Sequence, residues 1–353
     1  MTEWWAFKPV STAFEKTKKI LLEPFNAWTW LKLMVIVFFV GTGTSRLGSQ
    51  FSSWANNNSS SSDTRAVEQA VSSFLANPAV IYTILALIIL LIILVLIFAY
   101  LRNVFSYVLI NSLTSGDVRI IRPMMDNLGR GFRLFVFTLL VGLLTVAVDI
   151  GLIIIMAVAV WLAIGAGTST ATGIITLILA ICVVCLLLLA LIVFSVIMGI
   201  FIGFTYDFVA PMVYFKNMGI VESWKWLWAS VKKDWQQYGV YVITRWVLEL
   251  TVSILSLIII LPVALIFIAI LVLGGIVAAA AAKTSIAITA LIVLLLLVVL
   301  VVFFIAIMAI TMPIGVYFRY YSLDVLKHID PSAVVYSDRF TPPPPPSQPT
   351  LPA

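Results

Sequence analysis

The chain has 353 residues, 63% of them hydrophobic and 10% charged, with a formal net charge of +6; ordinary globular proteins run to roughly 45–50% apolar and about 25% charged residues. This balance excludes a soluble protein and leaves no stretch polar enough for a sizeable soluble catalytic domain. Uncharged runs of 33 residues between Glu68 and Arg102, 57 between Asp149 and Asp207, 33 between Glu249 and Lys283 and 35 between Lys283 and Arg319 each exceed the ~20 residues that carry a helix across ~30 Å of hydrocarbon. The fold class they predict is all-α: a polytopic transmembrane helical bundle.

Taken in chain order, the N-terminal segment reads as an amphipathic helix. Val10, Phe14, Thr17 and Leu21 share one face, Lys16, Lys18 and Lys19 fall away from it, and Thr12 with Glu15 makes a capping-box pattern. It lacks a short apolar core followed by a small-residue cleavage site, so no cleaved signal peptide is expected. The first span is predicted at 27–44, with Lys32 near one end snorkelling to the headgroups. Residues 45–78 form a connecting loop with an Asn/Ser tract and then a surface helix capped by Asp63; Asn57 and Asn58 each begin an Asn-x-Ser sequon, candidate glycosylation acceptors in what otherwise reads as plain flexible loop.

Further spans are predicted at 79–101, 132–163, 173–206, 238–273 and 285–320, completing a membrane domain over 1–323. The connections GAGTSTAT (165–172) and GGIVAAAAAKT (274–284) are short. A second polar-apolar segment, with Ile120, Met124 and Leu128 on one side, precedes the third span, and a third precedes the fifth. In that one Trp224, Leu227, Trp228, Val231 and Trp235 recur at helical spacing beside Lys225, Lys232 and Lys233. Such elbows bury an apolar face at the acyl boundary and hold cations against headgroups. From Asp324 the chain reads as a tail, and Pro342 to Pro346 impose a stiff extended segment within FTPPPPPSQPTLPA.

Placing alternate connections on alternate sides leaves only Arg46, Arg65 and Lys283 of the 21 Lys and Arg residues opposite the termini. The positive-inside rule then puts both termini in the cytoplasm of a cell-membrane protein. An internal repeat organises the spans. Lys32 to Gly41 reads KLMVIVFFVG and Arg133 to Gly142 reads RLFVFTLLVG; the returning spans close on Tyr100-Leu101-Arg102, Tyr214-Phe215-Lys216 and Tyr317-Phe318-Arg319, 114 and 103 residues apart. Lys32 and Arg133, with Tyr100, Tyr214, Tyr317 and the tryptophans Trp224, Trp228 and Trp235, are the predicted interfacial anchors of three tandem, like-oriented hairpins with cytoplasmic amphipathic elbow helices.

Little in the chain can support catalysis. There is one histidine, His328, and the pair Cys182 and Cys185 lies within an apolar helix, where soft packing is the expected role. No phosphate-binding glycine loop, metal-ligand spacing or nucleophile-base arrangement is present, so catalytic residues, cofactors and metals are all expected to be none. Asp149, Arg245 and Glu249 are the charged residues placed well inside spans, and at ~2.5–3.5 kcal/mol each they are costly enough to require a role. Arg245 and Glu249 share a helix face, and Asp149 counts out about 6 Å from the depth of Glu249 at 1.5 Å per residue. A three-residue polar cluster is geometrically open, as a pinning salt bridge or as a polar gate or site for a proton or solute; the remaining reading is three independent positions facing water or headgroups.

The segments PFNAWTWLKLMVIVFF from Pro24, RPMMDNLGRGFRLF from Arg122, KKDWQQYGVYVITRW from Lys232 and VYFRYYSLDVL from Val316 carry a resemblance to an uncharacterised family of archaeal six-span membrane proteins. More distantly the chain is similar to the membrane domain that precedes the catalytic domain of some bacterial glycerophosphodiester phosphodiesterases, without that catalytic domain. The resemblance implies an archaeal cell membrane and six spans, and no activity. The function expected is that of a non-catalytic component that organises membrane or anchors a complex. A channel-like carrier of a small solute or lipid using Asp149, Arg245 and Glu249 is the alternative. Expected partners are membrane lipids, with other membrane proteins or a second copy as further candidates, and no nucleic acid.

Overall fold

A computed structural model of the chain describes residues 7–41, 78–165 and 171–337, and among these every regular element is a helix. The order is α1 (Lys8–Leu22), α2 (Ala27–Val40), α3 (Pro78–Ser115), α4 (Ile121–Asp126), α5 (Leu128–Gly165), α6 (Ala171–Phe204), a π turn (Thr205–Val209), α7 (Ala210–Lys216), α8 (Ile220–Lys233), α9 (Trp235–Ala281) and α10 (Ile286–Ile329). Five stretches of 36 to 47 residues are long and apolar enough to cross a membrane. At 1.5 Å per residue they are about 54–70 Å long, so each projects well beyond ~30 Å of hydrocarbon. Asn57, Asn58, the helix expected after Asp63 and the Pro-rich segment lie outside the described residues.

Local chemistry sets the boundaries. Pro9 starts α1 at a position that needs no N–H, which moves the helix start ahead of the expected Thr12 box. Asn26 caps α2 by accepting from the Trp28 N–H at 2.9 Å, and Gly41 closes it in the left-handed region at φ 73°. Lys32 and Arg133 each fall on the sixth residue of their helices, but the repeat diverges after that: Gly41 ends α2 whereas Gly142 continues α5. Helix α9 runs on to Ala281, so most of the expected Gly274–Thr284 connection is helical. Pro262 and Pro313 sit inside unbroken helices, while Pro211, lacking an N–H, follows the wide π turn.

The chain divides into two compact units, Met1–Gly131 with Asp234–Ala353, and Phe132–Lys233. The first therefore joins the first and third expected hairpins, and the second holds the middle one with the elbow after it. In the first unit the core lies at one end, where α3 and α10 finish and α9 begins. There Tyr107, Leu109, Leu113, Val316, Tyr320, Tyr321, Leu326 and Tyr241 are buried, with Ala13 and Ile20 of α1 and Leu33 and Ile36 of α2. Phe39 of α2 stacks on Phe105 at 4.6 Å, and Phe38 meets Phe304 edge-on at 5.6 Å. By contrast, not one residue in the most apolar stretch of any of the five long helices is buried against protein. Those stretches present their side chains to the surroundings, the distribution a hydrocarbon solvent allows and water does not.

Tertiary packing reassigns several predicted surface residues. α1 packs on α10 through Ala13, Thr17, Ile20 and Leu21, while Phe14, expected on the same apolar face, is exposed. The expected tail boundary at Asp324 lies inside α10, and Ala333, Val334 and Tyr336 fold back into the core. In the second unit α8 buries Ile220, Ser223 and Leu227, and Trp224 stacks on Phe201 of α6 at 4.2 Å with the rings 9° apart.

Candidate functional site

Two polar assemblies stand out in the first unit. One climbs α9. Arg245 Nε donates to Glu249 Oε1 at 3.2 Å, and its Nη1 donates to the Tyr241 hydroxyl at 2.9 Å. The α-helical spacing of four residues brings all three onto one face. Tyr241 is fully buried and stacks on Tyr321 of α10 at 5.7 Å with the rings 7° apart, so the ladder ends in the core. Arg245 and Glu249 thus form the expected pair. Asp149 lies in the other unit, half-buried on α5, and its Oδ1 accepts no hydrogen bond among the described residues.

The second assembly was not foreseen from the sequence. Asp324, 3% exposed, gathers three donors from two segments: Lys16 in an ion pair and Thr12 Oγ1 at 3.1 Å, both on α1, and the Tyr336 hydroxyl at 2.6 Å. Lys16 also sits 3.8 Å over the Tyr336 ring, with Lys327 at 5.1 Å from the same ring. One carboxylate so ties α1 and the 333–336 segment to α10. Burial lowers the Lys16 ammonium pKa despite the opposing pull of Asp324, and Lys327 adds to the lowering. Burial, then the adjacent Asp324 charge, pushes the Tyr336 phenol well above its ordinary value. Arg319 completes the core; expected as an interfacial cation, it is buried and donates to Ser106 Oγ at 2.8 Å. Tyr320 donates to the Leu113 carbonyl at 3.0 Å.

The other predicted anchors fall into three groups. Trp228 and Trp235 are exposed at 57% and 68%, and Arg133 is exposed. Tyr214 and Tyr317 are half-buried, packed edge-on against Phe215 and Phe318 respectively, and Tyr100 donates weakly to the Leu128 carbonyl at 3.4 Å. Lys32 donates to the Val118 carbonyl at 3.2 Å and Trp224 is turned onto Phe201, so both are committed to protein. Cys182 and Cys185 are free thiols on the exposed side of α6 rather than in a packed interior.

What these groups do in the structure is hold elements together. Five apolar helices of this length, exposed along their oiliest stretches, define a helical membrane protein. The chain belongs to DUF7544, a family of unknown function whose pattern matches residues 4–336. No curated protein and no solved structure matches it.

Proposed function

We propose that the protein is a non-catalytic component of the cell membrane that organises lipids or anchors other membrane proteins. In this reading α2 is a sixth span, both termini are cytoplasmic, α1 and α8 are elbows at the inner surface, and the architecture is of the archaeal six-span kind. The observation that carries it is the split between exposed spans and a tied inner end. Asp324, Arg319 and Tyr241 are used in joining elements to one another, the chemistry of a scaffold. Purified protein in proteoliposomes is expected to show no solute uptake that depends on Glu249; robust uptake lost in Glu249→Gln overturns the reading. Orientation is tested in a background with Cys182→Ala and Cys185→Ala. A thiol probe unable to enter cells should label Ser60→Cys and spare Ser332→Cys, and the reverse pattern removes the assigned topology.

A carrier is the second reading, and one observation favours it. Tyr238, Tyr241, Thr244, Arg245, Glu249 and Ser256 are all buried or half-buried along α9, a polar stripe longer than the ion pair alone. Over the 18 residue steps from Tyr238 to Ser256 it covers about 27 Å at 1.5 Å per residue, close to the hydrocarbon thickness. The same uptake assay decides between the two.

A further inference from the structure

The α8 elbow divides its surface in a way the sequence pattern did not reveal. Ile220, Ser223, Trp224 and Leu227 turn toward the protein, and the Phe201–Trp224 stack fixes the helix against the end of α6. About a third of a turn away lies a second edge made of Val221, Lys225, Trp228 and Lys232, which share roughly 60° of arc at 3.6 residues per turn. Val221 and Trp228 are 64% and 57% exposed, and both lysines are exposed. Lys232 Nζ leans 5.9 Å over the Trp228 ring, drawing its charge back toward Lys225. Glu222 is the sole carboxylate of α8, and it accepts from the Gly219 N–H at 3.3 Å, off this edge. The edge therefore pairs apolar and aromatic surface with two lysines, about 10 Å apart along the axis, that form no ion pair among the described residues.

We propose that this edge binds the headgroup of an anionic phospholipid, with the phosphate between Lys225 and Lys232 and the Trp228 ring at the glycerol level. The assignment rests on the reading that α6 ends at the inner membrane surface, where lipid phosphate meets α8. Indole rings settle at the headgroup layer, and lysines near an anionic surface each strengthen binding about fivefold. The test uses the full chain in detergent, titrated with phosphatidylglycerol or phosphatidylcholine of equal chain length and read by native mass spectrometry. Phosphatidylglycerol is expected to be retained in preference. The double substitution Lys225→Gln with Lys232→Gln should cut its binding by on the order of tenfold or more, leaving phosphatidylcholine and the circular dichroism spectrum unchanged. Trp228→Leu should weaken both lipids. A preference untouched by the double substitution, or equal retention of the two lipids, overturns the site; inorganic phosphate binding as tightly as the lipid reassigns it to a free anion and overturns it too. None of these outcomes alters the uptake result that tests the scaffold reading, so the two fail separately.

Discussion

The Asp324 junction gives the sharpest test of what holds the packed end of the first unit together. Asp324→Asn keeps the side chain's size but leaves the Lys16 ammonium, whose side chain is 19% exposed, without its counter-charge. Removing one partner of a buried pair costs about 3–5 kcal/mol. The residual exposure and flexible stem of Lys16 let its head move toward water, so the lower figure, about 3 kcal/mol, is expected. Lys16→Met strands the carboxylate instead, though Thr12 and Tyr336 still donate to it, and about 2 kcal/mol is expected. In the double variant neither charge is left alone, so its loss should fall short of the sum by at least about 1.5 kcal/mol. Denaturant titration of the four proteins in the same detergent, followed by circular dichroism, measures this. Losses that add to within ~0.5 kcal/mol would refute the argument that Asp324 ties α1 to α10 by charge.

Other consequences are equally direct. At Gly131 on α5 an added Cβ would lie 2.9 Å from the Val104 Cα, so Gly131→Ala should destabilise by about 1–3 kcal/mol in the same titration, and Val104→Ala should rescue it only in part because the backbone atom remains. Tyr336, whose phenol is held well above its ordinary value of 10.0, keeps its proton in the folded state while the unfolded chain releases it. Its stabilising share is therefore intact below about pH 10 and lost as pH rises further. Lys16, lowered from 10.5, has the opposite sign, since the unfolded chain binds more protons as pH approaches 10.5 from below. Tyr336→Phe should thus lower stability at pH 7 by about 1–3 kcal/mol through the lost hydrogen bond to a carboxylate, yet flatten the decline above about pH 10. For Arg245→Gln and Glu249→Gln, thermal unfolding of the double variant should be milder than the summed singles, because the ladder from Tyr241 loses one coupled unit rather than two.

The sequence by itself determined that the chain carries long helices apolar enough to cross a membrane. A run of uncharged residues such as 284–318 has no other solvent, and hydrophobic length is a local property that needs no partner to be read. The pairing of Arg245 with Glu249 was likewise local, fixed by a spacing of four on one helix. What tertiary structure decided is which polar and aromatic side chains turn inward. Lys16, Arg319 and Trp224 carry the same pattern in sequence as Lys18, Arg133 and Trp228, yet the first three are claimed by Asp324, Ser106 and Phe201 and the others are exposed or held at the surface. An amphipathic pattern specifies that a face must leave water, but lipid and protein both satisfy that demand. Only the packing of segments as distant as 16 and 324 decides between them.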